Sequence, residues 1–290
     1  MMRQTLLAST RTLEAELASP SLRVFDATVH LRPATPGPYT VESARPDYEA
    51  AHVPGAAFID LARDLSDPDS DLRFTAPPLA LLEAALSAAG LGNDHRCVVY
   101  SATSPMWATR LWWLLKAAGF DDVRVLDGGF AKWKAEGRPV ATSDERYAPA
   151  TFRATAKPER WAGKDEVLAA IGDGVVCTVN ALPRSSHRGE SDLHYGRPGH
   201  IAGSVNVPYP GLLNRDGTFG DTSSLRGAFD AVGALAKRRV ICYCGGGISA
   251  TMNAFALTLL EHPDVAVYDG SLSEWARDPG LPMETGGDAP

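Results

Sequence analysis

Arg239-Val240-Ile241-Cys242-Tyr243-Cys244-Gly245-Gly246-Gly247-Ile248-Ser249 runs directly into Ala250-Thr251-Met252-Asn253-Ala254-Phe255. The first five residues are a short β-type run. The last stretch reads as the start of a helix, with Ile248, Met252, Phe255 and Leu259 at helical spacing on one face. The chain therefore passes from strand to helix through a loop headed by Cys244. Three consecutive glycines remove every side chain from one side of the thiol and let the backbone curl with its N–H groups turned inward. Such N–H groups and a helix start favour an anion, which here means a reactive thiolate.

Working outward, the two halves of the chain echo each other. His52-Val53-Pro54-Gly55-Ala56 recurs as His200-Ile201-Ala202-Gly203-Ser204, and Val98-Val99-Tyr100-Ser101 as the run ending in Tyr243-Cys244. Val125-Leu126-Asp127-Gly128-Gly129-Phe130-Ala131-Lys132-Trp133 recurs as Val267-Tyr268-Asp269-Gly270-Ser271-Leu272-Ser273-Glu274-Trp275. Three landmarks in the same order at nearly constant separation indicate a duplicated domain. The first half predicts strands at Leu22–Asp26, Cys97–Tyr100 and Val123–Leu126 and a helix over Ala108–Ala118. The second predicts strands at Val175–Val179, Val240–Tyr243 and Val265–Tyr268 and a helix over Ser249–Leu260. This alternation implies an α/β fold of parallel sheets flanked by helices. The Pro-, Ser- and Gly-bearing stretch from Gly137 to Ala150 is the expected linker, dividing the chain into 1–143 and 144–290. In open α/β sheets, sites form beyond the carboxyl ends of the strands, which is where Cys244 stands.

Composition narrows the function classes. The 290 residues are 44% apolar and 22% charged, enough to bury two cores. The net charge of −7 and the lack of a basic stripe argue against nucleic acid as a partner. No apolar stretch reaches the length of a membrane span, and the N-terminal residues lack a signal-peptide core, so a cytoplasmic location is the expectation. Cys97, Cys177 and Cys242 lie in apolar runs and read as inert core cysteines. With no Cys-x-x-Cys and no paired histidines, neither a metal site nor a disulfide framework is expected. The sixth residue after Cys244 is Ala250, so the arginine that would clamp phosphate in a Cys-based phosphatase is missing.

The repeated His-x-x-Gly-Ala/Ser segment, the repeated Asp-Gly-Gly/Ser-x-x-x-Trp segment and the Cys244 loop together resemble the tandem-domain rhodanese sulfurtransferases, a group of thiosulfate and 3-mercaptopyruvate sulfurtransferases. The resemblance implies two rhodanese-like domains, no cofactor, and a small sulfur donor with a thiol or cyanide as acceptor. It implies that Cys244 takes a sulfane sulfur as a persulfide, held by the loop of Gly245, Gly246, Gly247, Ile248 and Ser249. An alternative use of the same loop is a persulfide carrier that relays sulfur to a protein partner. Ser101 takes the place of Cys244 in the first half, and the following Ala102-Thr103-Ser104-Pro105-Met106-Trp107 has no glycine, so that domain is expected to be catalytically silent.

Loop composition bears on the donor. Thiosulfate enzymes of the family often carry Arg and Lys in the loop, whereas the neutral Cys-Gly-Gly-Gly-Ile-Ser is similar to the mercaptopyruvate kind. The family's second-domain segment carries an anchoring arginine where this chain has Ser186, and an aspartate where it has Asn180. Arg184, Arg188 and Arg197 are the nearby candidates to bind the donor's carboxylate. Thr251, near the helix start, is a further candidate. His187 and His194 are weighed as proton or hydrogen-bond donors, with structural roles preferred. The Ser/His/Asp set proposed for some mercaptopyruvate enzymes is absent: its Asp position is Ala62, and its His position falls near Arg73.

Overall fold

The structure, a computed structural model, describes residues 2–34 and 39–287. In chain order the first half contributes β1 (Leu7–Ala8), β2 (Leu22–Asp26), β3 (Val29–Arg32), β4 (Thr40–Ser43), β5 (Ala57–Phe58), β6 (Arg96–Tyr100) and β7 (Val123–Leu126). The second contributes β8 (Trp161–Ala162), β9 (Val176–Asn180), β10 (His200–Ile201), β11 (Val205–Asn206), β12 (Arg239–Tyr243), β13 (Val265–Tyr268) and β14 (Met283–Glu284). The main sheets run β1-β7-β6-β2-β5 and, read in the same sense, β8-β13-β12-β9-β11, with every pairing parallel. One topology is therefore used twice, as the repeated landmarks require. The strands read from the sequence are found within one residue of their expected positions.

The central strands carry Val, Ile, Leu, Phe and Cys on both faces and are almost wholly buried, as parallel strands covered on both sides by helices must be. Two helices form the contact between the halves: Pro105–Ala117, which follows β6, and Ala250–Leu259, which follows β12. Their corresponding threonines meet, the Thr109 and Thr251 hydroxyls lying 2.8 Å apart. The Trp112 and Phe255 rings pack edge to face with centroids 4.8 Å apart. Contact between equivalent residues marks an approximate two-fold axis relating the halves. The sequence assigned the second helix one apolar face. It is buried nearly all round because its own sheet covers one side and the opposite interface helix the other.

We propose the division in sequence at 143/144. In space the connector stays on the first half: Phe152 is buried, Tyr147 Oη accepts from Val24 N–H and donates to Gly55 O, and Thr155 and Lys157 N–H donate to Ala118 O and Ala117 O. Among the described residues no helix is long and apolar enough to cross a membrane.

Candidate active site

Cys244 follows the last residue of β12 and is only 2% exposed. The loop it heads is held from behind, peptide by peptide. Cys244 O accepts from Leu272 N–H (3.1 Å), and Gly245 O accepts from Ser273 N–H (2.8 Å) and Ser273 Oγ (2.7 Å). Gly247 O accepts from the Arg110 guanidinium (3.3 Å). In a planar trans peptide the N–H points opposite to the preceding carbonyl. Pinning the carbonyls of 244, 245 and 247 outward therefore turns the N–H groups of Gly245, Gly246 and Ile248 to the other side. Those three and Ser249 N–H have no protein acceptor among the described residues. Gly245, Gly246, Ile248 and Ser249 line a cavity of about 310 Å³ together with Cys244. Unpaired N–H groups converging on one concave loop form a nest for an anion.

Ser271 completes the pinning. Its Oγ accepts from Cys244 N–H and Gly247 N–H, both at 3.1 Å, and donates to Tyr268 O at 2.7 Å. The residue is fully buried at φ +48, a left-handed conformation that costs a non-glycine residue roughly 1–3 kcal/mol. The first half has Gly129 at the corresponding place, at φ +57. A serine accepts the strained position in the half where its hydroxyl holds the loop.

The Ser101 loop differs in another way. Its carbonyl accepts from Phe130 N–H (3.1 Å), as Cys244 O does from Leu272 N–H. The N–H groups beyond it are consumed locally: Ala102 donates to Thr28 Oγ1 (2.8 Å) and Thr103 to Ser101 Oγ (3.2 Å). Among the described residues no comparable nest is left open at Ser101.

The cavity over Cys244 is walled mainly by apolar and aromatic side chains, among them Leu31, Met106, Leu182, Leu193, Tyr39, Tyr195 and Tyr209. Leu31, Arg32, Pro33 and Tyr39 come from the β3–β4 hairpin of the first half, which thus reaches the second half's site. Burial, reinforced by a Cys244 anion, holds the phenols of Tyr39, Tyr195 and Tyr209 protonated, Tyr39 being pushed up to about 12. All three can donate O–H to an anion. Tyr195 fills the space a Cβ on Gly245 would need, its Cζ lying 1.9 Å from that position. A second cavity shares Tyr39 and Tyr195 as a wall and is lined by Arg73, Arg277 and His194.

The sequence-derived candidates divide. Cys244, Gly245, Gly246, Ile248 and Ser249 come together on one cavity, Gly247 does not line it and turns its N–H to Ser271 Oγ, and Ser249 makes no side-chain cap bond to its helix although it heads it. Arg184, Arg188, Arg197 and Thr251 do not reach the Cys244 cavity. Arg197 donates to the carbonyls of Trp275, Ala276, Asp278 and Leu281, which engages all three nitrogens of its guanidinium. Arg188 pairs with Glu190 at 2.8 Å, and Arg184 is exposed on a short helix. Thr251 is fully buried at the interface and bonds Ile248 O. Arg32 lines the cavity, with its guanidinium in an exposed pair with Glu42 at 3.0 Å. Sequence reading missed Arg32, Arg110, Ser271 and the three tyrosines. Ser271 was legible from its contrast with Gly129 in the repeat. Arg110 was legible as the lone charge in the otherwise uncharged run Met106–Leu115.

His187 is structural. It stacks on His200 with centroids 3.7 Å apart and planes 14° apart. Burial first, then the charges of His200 and Arg184, push it down to about 3, so it is neutral at working pH. The unfolded chain takes up this proton near the usual histidine value of about 6.5. Between about pH 6.5 and pH 3 the unfolded state therefore binds the extra proton, and stability falls with pH by up to about 1.4 kcal/mol per unit. Replacing His187 by Phe keeps a ring on His200 and removes the titration. Urea midpoints at pH 7.5 and pH 5 should fall less in this variant than in the parent; equal falls would mean that His187 does not drive the acid limb.

A family model described as Rhodanese-like domain matches residues 11–136 and 185–278. The chain is 35% identical to thiosulfate sulfurtransferase of Rattus norvegicus over 93% of its own length and 92% of that protein's. It is 33% identical to the probable 3-mercaptopyruvate sulfurtransferase of Pseudomonas aeruginosa, covering 97% and 98%. The crystal structure of SseA, a 3-mercaptopyruvate sulfotransferase of Escherichia coli, superposes with a TM-score of 0.82 at 28% identity, covering 92% of this chain and 98% of that one.

Proposed function

The chain belongs to the rhodanese-like domain family, as a tandem pair, and from that premise we propose that it prefers 3-mercaptopyruvate to thiosulfate as sulfur donor. It is a sulfurtransferase that moves a sulfane sulfur from a small donor to a small acceptor. The observation carrying the donor preference is the charge of the cavity. Its loop is neutral, its walls are mainly apolar, and among the described residues Arg32 is the charged one lining it. One guanidinium matches the single carboxylate of mercaptopyruvate. It leaves one charge of the thiosulfate dianion to N–H and O–H groups alone.

In the step proposed here, the Cys244 thiolate attacks the donor's sulfur. The carbon–sulfur bond breaks with its electron pair on carbon, leaving an enolate that takes a proton to become pyruvate. Cys244 then carries the sulfur as a persulfide anion, facing the N–H groups of Gly245, Gly246 and Ile248. An acceptor thiolate attacks the outer sulfur, the sulfur–sulfur bond breaks, and the Cys244 thiolate returns. Because the thiol lies on the floor of a small cavity, 2% exposed, it favours small acceptors over the cysteine of a partner protein. We read the first domain as catalytically silent, since Ser101 replaces the thiol and the N–H groups of its loop are already engaged.

A charge-assisted hydrogen bond is worth roughly 1.5–3 kcal/mol. Arg32→Ala should therefore raise KM for mercaptopyruvate about ten-fold or more with kcat little changed, since the contact is made before and during reaction alike. Comparing kcat/KM for the two donors, in parent and variant, tests the reading. A parent preference for thiosulfate, or an unchanged KM in Arg32→Ala, overturns it.

A further inference from the structure

We infer that Arg110, a residue of the silent domain, is a positioning residue for the Cys244 loop, so that the first domain completes the anion nest of the second. The inference rests on the Cys244 loop being the reactive centre.

Arg110 lies on the interface helix Pro105–Ala117 and is 1% exposed. A guanidinium is always charged and carries five donors in a rigid plane, so one buried so deeply must be held by several acceptors. Three surround it. One nitrogen donates to Asp269 Oδ1 at 2.5 Å and to Gly247 O at 3.3 Å, and the other donates to Phe74 O. Asp269 Oδ2 in turn accepts from Ala76 N–H at 2.7 Å. The Arg110–Asp269 pair thus ties three things together: the first domain's segment Phe74–Ala76, the turn that carries Ser271, and the carbonyl of Gly247.

The consequence follows from peptide geometry. Gly247 O is drawn to Arg110, so Ile248 N–H is directed to the opposite side, where it is one of the unpaired donors of the nest. Asp269 also backs directly onto Gly247: its carbonyl oxygen and Oδ1 both lie 2.7 Å from where a Cβ would sit. The other two pinned carbonyls, of Cys244 and Gly245, are held from within the second domain, by Leu272 and Ser273. Of the three pinned carbonyls of the loop, that of Gly247 is the one held from across the domain interface.

The approximate two-fold axis supplies a control. Asp127, the counterpart of Asp269, also reaches across the interface. Its Oδ1 accepts from Phe219 N–H at 2.8 Å, and its Oδ2 meets Arg3 at 3.4 Å. Arg3 donates to Phe219 O and Gly220 O as well. Arg3 and Asp127 both belong to the first domain, so the ion pair lies within one domain and only its bonds to Phe219 and Gly220 cross the interface; they touch no part of the Cys244 loop.

The test compares Arg110→Gln, Arg110→Lys and Arg3→Ala with the parent in the full-length chain. Cys244 alkylation by iodoacetamide is followed across pH without any donor, alongside kcat, KM and thermal unfolding. In Arg110→Gln, alkylation at neutral pH and kcat should both fall by about a hundred-fold, the lower end of the scale for losing one preorganised donor. KM should stay within about two-fold. The alkylation profile should move to higher pH. Arg110→Lys keeps the charge but not the fork and should lose part of both rates; it decides the matter if the glutamine variant does not fold. Arg3→Ala should lower the unfolding temperature and leave both rates as they are. Folded Arg110 variants with unchanged alkylation and kcat overturn the inference, as does an equal loss in Arg3→Ala. Because alkylation is read without sulfur transfer, the inference can fail while the proposed donor stands, and the reverse.

Discussion

Cys244→Ser abolishes sulfur transfer, by roughly a thousand-fold or more on the scale of losing a covalent nucleophile. A serine in the same loop is expected to lack an activating base: on the sequence reading the Asp position of a Ser/His/Asp set is Ala62 and its His position falls near Arg73, and His187 is stacked on His200. No other cysteine substitutes. Cys97, Cys177 and Cys242 are buried in strands, and burial pushes each thiol up, Cys177 to about 11 and the others higher, so none is a thiolate at neutral pH. The check is direct. After incubation with donor, mass spectrometry of the parent should find one added sulfur on the Cys244 peptide, removed by cyanide. An unmodified Cys244 peptide, or a serine variant with parental turnover, would end the persulfide reading.

Much of this site was legible before any coordinates because its logic is local. A strand, a cysteine, three glycines and a helix start occupy consecutive positions, and the repeat identifies Ser101 as the counterpart of Cys244. The β-α alternation is local too, so the sheets came out within a residue. What was missed comes from the other half. Arg32 and Tyr39 arrive on a hairpin roughly two hundred residues upstream of the thiol, and Arg110 arrives through the packing of two helices. No periodicity encodes such a meeting. The arginine candidates lie off the Cys244 cavity for a related reason. Arg197 sits close in sequence to the expected anchor, but a tight turn near the C-terminus offers it four carbonyls, and satisfying that turn outweighs facing the cavity.

The three glycines should prove unequal. Gly247 is at φ +75, where an L-residue costs about 1–2 kcal/mol, and an added Cβ would lie 2.7 Å from the Asp269 carbonyl. That carbonyl is backbone, in a segment fixed by Arg110, so the loop must move instead. Gly247→Ala should therefore swing the Gly247–Ile248 peptide, remove the Ile248 N–H from the nest, and lower kcat by about a hundred-fold or more. Gly245→Ala meets a movable obstacle, the Tyr195 ring, and should expel that ring from the cavity wall, damaging kcat and KM together. Gly246 has no atom nearer than 3.6 Å to its missing Cβ and does not adopt a left-handed φ, so Gly246→Ala should stay within several-fold of the parent. Steady-state kinetics and unfolding curves on the three variants separate two explanations of the glycine run. If backbone geometry is what the chemistry needs, the loss follows the order Gly247, Gly245, Gly246. If open space above the thiol is what it needs, Gly246→Ala will be as damaging as Gly247→Ala, and the pinned-peptide account of the nest gives way.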